Sequence, residues 1–161
     1  MKKCFLVLIC ALCTNALYGQ TSKPDAEAMA RIMGEEKKAA MANLVAVSGN
    51  DSVKFWEVYD EYEKQNVELA KSRLQLYEKI VRLYGKMDTY IADSIAQLYF
   101  DNRVIQENNL QDYYKKMKAA TNSIIAFEFY QAEVFLLTEI RGMIMQKLPT
   151  YGEYVKSTQT K

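Results

Sequence analysis

The chain has no histidine, and its three cysteines, Cys4, Cys10 and Cys13, all lie at the N-terminus. Without an imidazole, nucleophilic catalysis of the Ser-His or Cys-His kind has no base. The Glu-x-x-His motif that holds carboxylate-bridged metals in helical bundles is missing for the same reason. Proline is scarce, with only Pro24 and Pro149, and there are six glycines in 161 residues, so little interrupts a long helix. Neither sign of charge dominates: 21 Lys and Arg face 20 Asp and Glu. That balance gives no electrostatic case for nucleic acid or an anionic membrane. No segment sustains strand-like alternation, and no Gly-rich phosphate loop occurs. These absences lead us to expect a protein that is not an enzyme and needs no cofactor or metal.

What is present begins with a targeting pattern. Lys2 and Lys3 precede an apolar run from Cys4 to Cys13, followed by Thr14-Asn15-Ala16-Leu17-Tyr18-Gly19-Gln20. A basic start, about ten apolar residues and small residues near a cut site describe a secretory signal peptide over 1–19. The run is short of the roughly 20 residues a membrane span needs. Cleavage is expected after Gly19, with Ala16 as the alternative. Cys10 follows Ile9 and Cys13 follows Leu12, where a lipoprotein signal needs a small residue. The expected mature chain is cysteine-free, with 19 bases against 20 acids and a formal charge of −1. It suits an oxidising compartment, the periplasm, with no stable membrane insertion after cleavage.

Hydrophobic spacing then predicts one all-α domain over 20–148 and a flexible polar tail over 149–161. A first helix is expected at about 24–47. Ser48-Gly49-Asn50-Asp51 reads as a stop and a new cap. From Asp51 to Tyr84 nothing breaks the helix, which would be roughly 50 Å long at 1.5 Å per residue. One stripe of it carries Phe55, Tyr59, Tyr62, Leu69, Leu76, Ile80 and Leu83, interrupted by Asn66 and Arg73. Those two polar residues either set register inside the seam or face solvent where the stripe frays. A second stripe carries Trp56, Val67, Ala70, Leu74 and Val81, and two apolar faces call for two contacts. A third helix is expected from near Asp93 to Ala119, with Ile91, Ile95, Leu98, Ile105 and Leu110 as its core set. A fourth, capped at Thr121-Asn122-Ser123, should run to Leu148 and be central or buried between subunits. Its apolar residues go nearly all round, with Phe127, Tyr130, Val134, Leu137 and Ile144 on one side and Phe129, Leu136, Ile140 and Met143 on the other. The expected architecture is four helices in a thin elongated bundle built on one long hairpin, paired as an antiparallel homodimer.

Few side chains suggest chemistry. Glu57 and Glu61 sit one turn apart, as a solvated helix face would place them. Met143-x-Met145 has soft ligands, but residues two apart on a helix diverge by about 200°, so core filling is the simpler reading. The aromatics are the distinctive feature. Phe55, Trp56, Tyr59 and Tyr62 crowd two turns of one helix, and Phe127, Phe129, Tyr130 and Phe135 crowd another. Such sets either pack a core or line a protein-binding surface.

The segment Asp51-Ser52-Val53-Lys54-Phe55-Trp56-Glu57-Val58-Tyr59-Asp60-Glu61-Tyr62-Glu63 resembles a Phe-Trp-x-x-Tyr-x-x-Tyr/Phe-Glu stretch of exported Bacteroidetes proteins related to the Spy/CpxP superfamily. Ala126-Phe127-Glu128-Phe129-Tyr130-Gln131-Ala132-Glu133 resembles that group's second segment. The resemblance covers about 30–148. Val47-Ser48-Gly49-Asn50-Asp51 stands where the family carries Leu-Thr-x-x-Gln. The resemblance implies a helical periplasmic chaperone or stress-sensing protein. Together with the aromatic clusters it leads us to expect ATP-independent, chaperone-like binding of unfolded or partly folded client proteins. Phe55, Trp56, Tyr59, Tyr62, Phe129 and Tyr130 are the candidate protein-binding residues. The alternative is a regulatory adaptor for one envelope sensor or sigma-regulatory partner, and a third class is a structural spacer.

Overall fold

The computed structural model describes residues 36–159. Among them are five helices and no strand: α1 at 36–44, α2 at Gly49–Leu83, α3 at Thr89–Ala120, α4 at Ser123–Met145 and α5 at Tyr151–Gln159. A short 3-10 turn, Tyr84–Lys86, joins α2 to α3. The expected signal peptide and the part of the first expected helix before residue 36 lie outside the described residues.

The long second helix is continuous as expected, 35 residues or about 52 Å at 1.5 Å per residue. Its start depends on Gly49, whose φ of +59° is left-handed. A Cβ there would meet nothing within 4 Å, so the cost of a side chain is purely conformational. Gly49→Ala is therefore expected to lose about 1–2 kcal/mol in urea denaturation, and Gly49→Asn, which tolerates this region better, less.

Three boundaries differ from expectation, each for a local reason. The first helix stops at residue 44 rather than 47, because 45–48 forms the extended lead into Gly49. Helix α3 starts at Thr89, not near Asp93, because the Asp88 carboxylate caps it by accepting from the Ile91 N–H at 2.7 Å. Helix α4 begins as expected, with Asn122 accepting from the Ile124 and Ile125 N–H groups. It ends at Met145, and two turn hydrogen bonds, Lys147 to Ile144 and Leu148 to Met145, carry the chain to Pro149. Pro149 disfavours helical geometry in the residue before it.

The polar segment after Pro149, expected as a tail, forms a fifth helix. Thr150 and Glu153 make a capping box. The Glu153 carboxylate accepts from the Thr150 N–H at 2.7 Å, and the Thr150 hydroxyl accepts from the Glu153 N–H at 3.2 Å. The Thr150 backbone N–H, more than any other contact, lowers the Glu153 pKa. Tyr151 and Tyr154 pack on Tyr84 with ring centroids 5.5 and 5.8 Å apart, and an added Cβ on Gly85 would lie 3.1 Å from the Tyr154 hydroxyl. So α5 folds back over the turn between α2 and α3.

Ring contacts define the packing. Tyr62 early in α2 meets Tyr113 late in α3, and Tyr77 late in α2 meets Tyr99 early in α3, so the two form an antiparallel hairpin. Helix α4 returns along α3, with Tyr130 against Tyr114 and Arg141 donating to Gln106 at 2.9 Å. The resulting bundle has two apolar cores. The upper one gathers Met41, Phe55, Tyr59, Tyr62, Leu110, Tyr113, Met117 and Phe129. The lower one gathers Tyr77, Ile80 and Ile95 with Tyr99, Ile144 and Leu148 against them. Between them Asn66 and Arg73, each 5 % exposed, and Gln106 form a buried polar belt. Asn66 and Arg73 thus lie in the seam rather than at a frayed edge. Burial, with the Arg141 charge adding to it, lowers the Arg73 pKa.

Candidate functional site

Two places on the molecule depart from ordinary core packing, and both involve α4. The first is its outer face. At about 100° per residue, the buried Ala126, Phe129, Ala132, Glu133, Leu136 and Leu137 occupy one side of the helix. The opposite arc, roughly 140° wide on the same spacing, carries Ser123, Ile124, Phe127, Tyr130, Gln131, Val134, Phe135 and Thr138, all exposed. Not one of these is charged. Ile124, Phe127 and Phe135 are 72, 52 and 55 % exposed. Glu128, at the edge of the arc, accepts from the Ala46 N–H at 3.0 Å. The apolar strip continues in character on α3, where Phe100, Val104 and Ile105 are exposed.

Within one chain α4 is therefore not central: Phe127, Tyr130 and Val134 face out, and Met143 and Met145 are exposed rather than core filling. Ile105, expected in the core of α3, is also exposed, because the inward position beside it belongs to Gln106.

The second place lies beneath α1. Lys37 is buried, with its ammonium 2.8 Å from Glu63 Oε2 and 2.5 Å from Glu133 Oε1. The Tyr62 hydroxyl donates to the same Glu133 oxygen at 2.6 Å. The ammonium also stands over the Tyr62 ring, 4.9 Å from its centroid, and 5.9 Å from that of Tyr59. The Tyr59 hydroxyl lies beside Glu63 without a well-formed hydrogen bond among the described residues. One cation thus serves two carboxylates. Burial raises the Glu63 pKa, and Lys37 only partly offsets it. Burial first, then the Glu133 charge, push both tyrosine hydroxyls upward, so they stay neutral. The polar atoms of the cluster are buried, although the Glu63 side chain is 13 % exposed. Outside it, Lys38 pairs with Asp60 and sits 5.6 Å from the Trp56 ring centroid. Across the hairpin Lys116 pairs with Glu61 at 2.5 Å.

The structure separates the six candidate binding residues. Phe55, Tyr59, Tyr62 and Phe129 are core: Phe129 stands edge-on to Phe55, Tyr59 and Tyr62, with centroids 6.4, 6.3 and 5.3 Å away. They present no surface in this conformation, because an interlocked set of rings gains both apolar burial and edge-to-face attraction. Trp56 is half-buried beside them, and Tyr130 is on the outer face. The expected binding set leaves out Ile124, and also Phe127 and Phe135, although the second aromatic cluster contains both. The lack of any charge among positions 123–138 other than Glu128 and Glu133 was the available signal. Sequence reasoning also passed over Lys37, since nothing in a helical spacing marks one lysine as buried.

At the lower end a cavity of about 250 Å³ lies between Tyr77, Tyr84, Tyr99, Met145, Leu148 and Tyr151. Among the described residues no three His, Cys, Asp or Glu side chains gather as they would around a metal ion, and no helix is long and apolar enough to cross a membrane. Comparison of the chain with protein-family models, with curated proteins and with solved structures gives no match.

Proposed function

We propose that this chain acts by binding other polypeptides, as a periplasmic, ATP-independent, chaperone-like protein for unfolded or partly folded clients. One observation carries the reading: a broad, uncharged and largely apolar arc of α4 faces solvent over positions 123–138. Contiguous exposed apolar patches on soluble proteins mark interaction sites far more often than isolated hydrophobes do. Rigid aromatic area holds partners at low entropic cost, and an uncharged face discriminates little among clients. The signal-like N-terminus supports export to the periplasm. The same arc, set against its copy, would make the antiparallel homodimer, and dissociation of that dimer would free it for clients.

The test is suppression of aggregation. The exported protein, titrated at stoichiometric ratio into several aggregating clients, is expected to lower light scattering for most of them. Phe127→Ser/Phe135→Ser should weaken that suppression at least tenfold, and its melting temperature should move little because both rings are exposed. No suppression by the unaltered protein would reject the reading. One stable partner from a pulldown, without a client range, would favour a regulatory adaptor binding a single sensor.

A further inference from the structure

Helix α1, described over residues 36–44, is tied to α2 by the non-helical stretch 45–48. Among its described side chains Lys37 and Met41 are the buried ones. They lie on the upper core, with Lys37 over the Tyr62 ring and Lys38 over Trp56. Docking thus rests on the Lys37 ammonium and the Met41 side chain, with Ala40 packed beside them. A buried ion cluster gives back little net stability once desolvation is counted, yet losing one partner from it is severe. Here the balance is poorer still, since two carboxylates share one cation. Release of α1 would return all three charges to water.

We infer that α1 is a releasable strap, and that its departure uncovers a second binding surface. That surface is the set of Trp56, Tyr59 and Tyr62 rings with the Glu63 and Glu133 carboxylates among them. Its occupant is an apolar polypeptide segment carrying a lysine or arginine. The charge complementarity is written into the closed form, where Lys37 and Met41, one helical turn apart, fill that surface from within the chain. A client segment of the same pattern takes their place, its cation between the two carboxylates and its apolar side chain on the rings. This deepens the chaperone reading and rests on it for the nature of the partner. It also gives the buried aromatics a role that the outer face of α4 does not supply.

The experiment uses the full chain and a synthetic peptide copying residues 36–44, Glu-Lys-Lys-Ala-Ala-Met-Ala-Asn-Leu, with a control peptide in which both lysines are glutamates. Trp56 is the chain's single tryptophan and reports directly on strap release. Lys37→Met should red-shift Trp56 emission and speed amide exchange over 36–44 at least tenfold. It should also bind the lysine peptide at least tenfold more tightly than the unaltered chain does, and the glutamate peptide not at all. Glu63→Gln leaves one carboxylate for one cation, so it should slow exchange over 36–44 and keep Trp56 in its closed emission. Should Lys37→Met fail to fold, Glu63→Gln decides alone: unchanged or faster exchange overturns the strap. Fast exchange in Lys37→Met without any gain in peptide affinity overturns the second surface. Phe127→Ser/Phe135→Ser keeps the two readings apart. It should abolish client suppression by the outer face while leaving the Lys37→Met gain in peptide affinity intact.

Discussion

Phe129→Ala is expected to lower the unfolding free energy by about 3–5 kcal/mol, against about 1 kcal/mol or less for Phe127→Ala, a surface truncation. The two phenylalanines are two positions apart on α4, about 200° around the helix, and the bundle treats them oppositely. Phe129 is fully buried and touches the rings of Phe55, Tyr59 and Tyr62. Truncating it loses the transferred area, leaves a cavity that three stiff rings cannot collapse into, and removes edge-to-face contacts worth about 0.5–1.5 kcal/mol each. Phe127 is 52 % exposed and leaves no cavity. Chemical denaturation of both variants with a shared slope measures the contrast. Equal losses would mean that the outer arc of α4 is covered in solution, as a tight dimer through that face would make it.

Lys37→Met should cost a similar amount, about 3–5 kcal/mol, the usual penalty for breaking a buried ion pair. While α1 is docked, removing the cation leaves Glu63 and Glu133 as unpaired like charges with Tyr62 their nearest donor, and that penalty is what drives α1 off. The sign of the remedy is what distinguishes this from a simple packing defect. The triple variant Lys37→Met/Glu63→Gln/Glu133→Met removes every formal charge from the cluster and keeps its volume. Well-packed neutral groups can replace a buried ionic cluster at little or no loss, so the triple variant should recover most of the stability. A triple variant less stable than Lys37→Met would show that the ionic bonds themselves, rather than the unpaired carboxylates, carry the energy. Thermal melts of the three proteins at neutral pH give the order.

Several elements were legible in the residues. The run from Asp51 to Tyr84 has no proline or glycine, and α2 continues unbroken along it to Leu83. Asn122 was visible as a cap because a short polar side chain before an apolar run can accept the first free N–H groups. Two signals of the same kind were there to be read and were missed. Asp88 caps α3, and Thr150-Tyr151-Gly152-Glu153 is a capping box that turns a polar tail into α5. Neither start is marked by spacing, since Lys86-Met87-Asp88-Thr89-Tyr90 reads as a link after Gly85 and few aliphatic residues follow Pro149.

The candidate site was only half legible. Aromatic clustering pointed to the right segments, but placed binding on Phe55, Tyr59, Tyr62 and Phe129, which the bundle buries. The sequence alone determined that the chain is helical, where the long helix runs, and that α4 is apolar on more than one side. Those follow from local terms: propensity, spacing and caps act within a few residues. Only the tertiary structure decided which arc of α4 turns inward, that Asn66 and Arg73 lie in the seam, and that Lys37 rather than any other lysine enters the core. A spacing pattern records how greasy a face is, whereas burial depends on what another helix sets against it. Lys37 lies in sequence 26 positions from Glu63 and 96 from Glu133, so the partners that make its burial tolerable exist only once α1, α2 and α4 have come together.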